Sequence, residues 1–124
     1  MNPKNKELEK FFETEVKETI PKLIDEYVKL TGMPDSEKMD LYQESKFEIR
    51  TQEDSGSTYK FMSEPYIIVD IWDDYYSIKI ADQMEEKLFF RTTEIDSFIK
   101  YWNNEVVTYF GQNINFPEIK LKTI

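Results

Sequence analysis

Residues 66–80, YIIVDIWDDYYSIKI, decide the fold, because their pattern fixes a strand register. With Asp73 and Asp74 as a two-residue hairpin turn, Trp72 opposes Tyr75, Ile71 opposes Tyr76, Val69 opposes Ile78 and Ile67 opposes Ile80. Side chains alternate between the two faces of a strand, so the last three pairs share one face, and every member is apolar or aromatic. The other face carries Trp72 with Tyr75, Asp70 with Ser77, Ile68 with Lys79 and Tyr66 with Ala81. A slip of one residue would turn the apolar set toward water, so burial specifies the register. Asp-Asp is a poorer two-residue turn than Asn-Gly or Asp-Gly, and a longer loop would move the pairs.

Upstream of this hairpin, residues 45–51 alternate, with Phe47 and Ile49 on one side and Lys46, Glu48 and Arg50 on the other, the pattern of a half-buried strand. Residues 53–57, EDSGS, read as a turn or loop, and residues 58–63 as a second strand with Tyr59 and Phe61 facing one way. Downstream, QMEE (83–86) reads as a short acidic connection and KLFFR (87–91) as another strand.

Helical spacing appears on both sides of the strands. Leu8, Phe12, Val16, Ile20, Leu23, Ile24, Tyr27 and Val28 recur at steps of three and four within 5–30, with Phe11 widening the stripe. Pro21 lacks an N–H and crowds the carbonyl four residues back, which predicts a kinked helix or two abutting helices. Gly32 and Pro34 end it. Residues 34–44 fit either a loop or a short helical turn, capped by Asp35 or Ser36, that points Met39 and Tyr42 inward. A second long helix starts at Thr93, where Thr93 and Asp96 resemble a capping box, and Ile95, Phe98, Ile99, Trp102, Val106, Tyr109 and Phe110 form its inward stripe. After Gly111 and Pro117, residues 118–124 alternate Ile119 and Leu121 with Lys120 and Lys122, as an edge strand would.

This order predicts one α+β domain over 1–124. An antiparallel sheet of about five strands carries an N-terminal helix and a C-terminal-half helix on one face, in two layers. A strongly curved sheet wrapping one helix is the alternative. In the two-layer form the face of Tyr66, Ile68, Asp70, Trp72, Tyr75 and Lys79 stays open.

Composition excludes much chemistry. The 124 residues contain neither cysteine nor histidine, so thiolate nucleophiles, disulfides and the commonest general base and transition-metal ligand are all missing. MNPKNKELEK (1–10) lacks the apolar run of a signal peptide, and no segment approaches the roughly 18 apolar residues of a membrane span. The expectation is a cytoplasmic protein, of a cell or of something growing in one. No Gly-rich phosphate loop occurs. Pro34-Asp35 with Glu48-Ile49-Arg50 resembles the acidic-pair-plus-lysine pattern of restriction-type nucleases, but arginine stands where that pattern needs lysine. Asp70, Asp73, Asp74 and Asp82 lack calcium-loop spacing, and no cofactor, metal ligand set or catalytic residue is assigned.

The net charge of −9 is uneven. Residues 1–32 hold six basic and seven acidic side chains, 33–64 four and eight, 65–96 three and eight, and 97–124 three and two. The excess therefore lies in the middle of the chain, either as an ordinary solubilising surface or as a patch that repels nucleic acid and anionic membranes and attracts basic proteins. Trp72 and Tyr75 beside Asp70, Asp73 and Asp74 have the composition of an interface, with aromatic anchors and steering charges. The same rings would be hidden if a helix, the C-terminal strand or a second copy of the chain covered that face. Glu85 and Glu86 complete the candidate partner-binding set, and Glu53, Asp54 and Glu64 would extend it if their loops lie alongside.

The profile (small, acidic, cysteine-free, with a single alanine and three glycines) is similar to that of toxin-immunity proteins and of phage-encoded inhibitors of host defence, including anti-CRISPR proteins. That similarity implies a non-catalytic inhibitor that occludes a basic nucleic-acid-handling protein, such as a nuclease or CRISPR effector, without contacting nucleic acid or membrane itself. A homo-oligomeric accessory subunit, with a homodimer burying the open face, and a carboxylate-dependent metal enzyme are the alternatives.

Overall fold

The computed structural model describes residues 2–32, 34, 36–37, 39–40, 47–62, 65–111 and 114–121. Five strands follow one another as an antiparallel meander: β1 (Phe47–Glu53), β2 (Gly56–Met62), β3 (Tyr66–Trp72), β4 (Tyr76–Asp82) and β5 (Glu85–Thr92). The chain is an α+β fold with its helices on one face of this sheet. The β3–β4 register is the one that burial demands: Ile67 faces Ile80, Val69 faces Ile78 and Ile71 faces Tyr76. All six are buried, while Tyr66, Ile68, Asp70, Trp72 and Lys79 on the far face are half-buried. Trp72 donates its N–H to the Tyr75 carbonyl at 3.0 Å, which closes the two-residue Asp73–Asp74 turn.

The N-terminal helix runs as α1 (Pro3–Phe11), a π-helical segment (Phe12–Val16) and α2 (Lys17–Thr31). Asn2 caps it, its Oδ1 accepting from the Asn5 N–H at 2.8 Å, with Pro3 in the first turn where a missing N–H costs nothing. Gly32 closes it in the left-handed conformation (φ 66°). The second helix comprises α3 (Ile95–Tyr101), a π segment (Trp102–Val106) and α4 (Val107–Phe110). Both stripes face the core, buried except for the half-buried Tyr27, Val28, Ile95, Ile99 and Tyr109, and they meet where Phe12 packs edge-on against Trp102 with ring centroids 4.9 Å apart.

The departure from α geometry falls at Phe12–Val16, and Pro21 sits inside the continuous α2. Its cause is the spacing of the stripe. Leu8, Phe12, Val16, Ile20 and Ile24 repeat every four residues, as do Phe98, Trp102, Val106 and Phe110. At 3.6 residues per turn, each four-residue step drifts by about 40° around the axis. One wider π turn takes up the drift and returns the stripe to the sheet.

Other expectations are corrected. Of the strand expected over 118–124, residues 118–121 form none, and 122–124 lie outside the described residues. The polar backbone of 117–121 is satisfied by the second helix: Asn103 both accepts from the Ile119 N–H (2.7 Å) and donates to its carbonyl (3.1 Å), and Trp102 Nε1 donates to the Pro117 carbonyl (2.9 Å). Ile49 shares the face of Phe47, opposite the buried Tyr59, but at the edge of the sheet it stays 41% exposed. Residues 36–37 and 39–40 are helical, but Met39 is 59% exposed; Tyr42 lies outside the described residues. The second helix starts from Glu94, whose N–H is taken by the Thr92 hydroxyl (3.1 Å), so the Thr93–Asp96 box does not form. QMEE is a two-residue turn, Gln83–Met84, with Glu85 and Glu86 already paired in β5 opposite Asp82 and Ala81.

Candidate interaction surfaces

In a meander, alternate connections fall at the same end of the sheet. The β1–β2 turn (Asp54, Ser55), the β3–β4 turn (Asp73, Asp74) and the passage from β5 into α3 (Glu94) therefore share one end. The first two are tied directly, the Asp73 N–H donating to the Ser55 carbonyl at 2.8 Å. Glu53, Asp54, Asp73, Asp74 and Glu94 are placed along this one end by topology, from positions up to 41 residues apart in the chain. Glu53 and Asp54 lie at the end that carries Asp73 and Asp74, where they line a cleft with Lys6, Glu9 and Glu13 of the N-terminal helix; Glu64 lies outside the described residues.

The candidate residues separate into three groups. Asp73 and Asp74 belong to the acidic end, where Asp73 Oδ1 also receives Asn5 Nδ2 at 3.4 Å. Asp70 is engaged within the sheet: its Oδ1 accepts from the Thr58 hydroxyl (2.6 Å) and its Oδ2 from the Ser77 hydroxyl (2.7 Å). Trp72 joins this row by donating Nε1–H to Thr58 Oγ1 at 3.1 Å. Gly56 makes room for the indole, since a Cβ there would stand 2.7 Å from the Trp72 ring and 2.4 Å from the Ile71 carbonyl oxygen. Tyr75 lies under the guanidinium of Arg91, 4.2 Å from its ring centroid. Its hydroxyl is pushed above the ordinary tyrosine value by burial first and then by Asp70, with Arg91 opposing. Glu85 and Glu86 sit at the opposite end, beyond the seven residues of β4, which span roughly 23 Å. The structure does not bring them to Asp73 and Asp74.

A neighbouring feature escaped the sequence. Glu9 is 8% exposed, and its Oε2 accepts from the Ser57 hydroxyl at 2.7 Å and the Tyr59 hydroxyl at 3.5 Å. With Lys6, Glu13, Gln52, Glu53 and Asp54 it lines a cleft of about 450 Å³ running to the acidic end. Burial, then the charge of Glu9, holds the Glu13 carboxyl above its ordinary value. Burial likewise raises the Tyr59 phenol beyond the usual range, with Glu13 and Glu9 adding to it. Asn5, fully buried, accepts from the Tyr76 hydroxyl in the same helix–sheet seam. The signal was the four-residue step from Asn5 to Glu9, which runs beside the apolar stripe and so enters the core edge.

Among the described residues, no group of three or more acidic side chains could hold a metal ion. Arg50 pairs with Glu48 at 3.4 Å, an ordinary exposed ion pair. No helix among the described residues is long and apolar enough to cross a membrane. Comparison with protein-family models, curated proteins and solved structures finds no match.

Proposed function

We propose that this chain is an acidic, non-catalytic binding protein that occupies the basic surface of a nucleic-acid-handling partner, such as a nuclease or CRISPR effector. It would work in the cytoplasm of a cell or infected host, as immunity proteins and phage anti-defence inhibitors do. The observation that carries this reading is the convergence of Glu53, Asp54, Asp73, Asp74 and Glu94 on one end of the sheet, beside Trp72 and Tyr75. Carboxylates on alternate connections, held by a rigid sheet, present a row of negative charge to lysines and arginines that otherwise meet phosphates. The two rings supply contact area at low entropic cost. Asp70 contributes by holding Trp72 through Thr58, and Glu85 and Glu86 lie outside this contact.

The test is capture from lysate at low and high salt, followed by competition with the purified partner. A basic protein should be retained at low salt, released at high salt and displaced by its own nucleic acid. Replacing both Asp73 and Asp74 with Lys should abolish capture without lowering the melting temperature. Equal capture by that variant, or a ternary complex with the nucleic acid, refutes the reading.

A further inference from the structure

The two edges of the sheet are built differently. β1 shifts register between Ile49 and Thr51 and presents Glu48, Arg50, Gln52 and Glu53, all exposed or half-exposed. Bulges and charges on an edge discourage strand addition. β5 is irregular only near its start, opposite Ile80 and Ala81, and residues 88–92, LFFRT, pair regularly with β4. On its outer side β5 has no strand partner among the described residues, because the C-terminal segment packs on the second helix. Phe89 points away from the core and is 55% exposed. Behind the strand, Phe90 stacks on Tyr101 with centroids 4.4 Å apart. Beside that pair, a recess of about 280 Å³ is bordered by Lys100 and Glu105. Neither makes an ion pair within the described residues.

We propose that β5 is a homodimer interface, with two copies pairing antiparallel about a twofold axis at Phe90 to join two five-stranded sheets into one of ten. In this register Phe90 faces Phe90 of the partner subunit, Phe89 faces Arg91 of the partner subunit, and Leu88 faces Thr92 of the partner subunit. Only such same-face pairings keep both helix layers on one side of the joined sheet. Arg91 is already held on the open face, over Tyr75, where it meets the partner's Phe89 as a cation over a ring. The same axis runs antiparallel copies of the second helix past each other, bringing Lys100 to Glu105 of the partner subunit and the reverse. That self-complementary charge, with Phe89 exposed on an edge whose residues 88–92 pair regularly, selects a second copy over an unrelated extended peptide.

Analytical ultracentrifugation of the full chain alone, over a concentration series, tests this independently of any acidic-end partner. The wild type should sediment as a dimer that persists at high salt. Phe89→Lys should weaken dimerisation by about tenfold or more, as should Lys100→Glu, which sets like charges together. The double variant Lys100→Glu, Glu105→Lys should recover the wild-type dimer, a rescue that a folding defect cannot imitate, with thermal unfolding confirming each fold. A wild type that stays monomeric up to about 0.5 mM overturns the proposal. So does a dimer indifferent to Phe89→Lys, which would lie on another surface, or a double variant no better than Lys100→Glu.

Discussion

Glu13 shows how one residue couples burial to pH. Its carboxyl is raised above the ordinary 4.5 by desolvation and by Glu9, so the folded state holds its proton more tightly than the unfolded chain does. That contribution to stability is complete below the unfolded value and lost as pH rises through the folded one. Glu13→Gln should therefore raise the melting temperature at pH 7, with the gain shrinking as pH falls toward and below 4.5. A gain that grows on acidification would contradict the assignment. Met84 is the second residue-scale case. Gln83 and Met84 both take positive φ, 53° and 64°, in a hairpin turn that favours asparagine and glycine, and Met84 is fully exposed. Met84→Gly should stabilise the fold by about 1 kcal/mol in urea unfolding, because the left-handed cost to a side chain outweighs the entropy of glycine. Asp70 marks the limit of reading residues singly: as a letter it resembles a steering charge, but two hydroxyls on neighbouring strands make it a sheet member.

At the scale of elements, the paired π segments are the instructive feature. Four-residue steps were visible in both stripes, and with them the surplus residue that an α-helix cannot place on one face. Deleting Asn104, exposed within the second π segment, leaves inward residues spaced four, three and four apart, which suits an uninterrupted α-helix. The deletion should keep the protein folded, with helical circular dichroism and a cooperative melt. Deleting Lys22 from α2 should not, because it rotates Leu23 and Ile24 off the core by about 100°. Equal damage from the two deletions would remove the phase explanation. The C-terminal segment shows the opposite case. Its alternation suggested a strand, yet Asn103 supplies the hydrogen bonds that a neighbouring strand would, and no local pattern announces a partner 16 residues away.

For the whole molecule, charge acts through the topology. A net charge of −9, with several carboxylates gathered at one end, makes the folded state repel itself. Added sodium chloride should raise the melting temperature by screening this repulsion, and the Asp73→Lys, Asp74→Lys variant should respond less. A melting temperature that falls with salt would mean that ion pairs outweigh the repulsion.

The sequence by itself determined the β3–β4 register, the buried stripes of both helices and the α+β class, because each follows from a short-range period that burial enforces. It also determined the lack of cysteine and histidine chemistry. Only the tertiary structure decided which carboxylates meet. Turns 54–55 and 73–74 share one end while Glu85 and Glu86 are carried to the far end, since the alternation of a meander sorts connections by their order in the sheet and not by distance along the chain. It alone decided that Glu9 is buried against Ser57 and that Asp70 is bound within its sheet, because both depend on which strands and helix lie alongside.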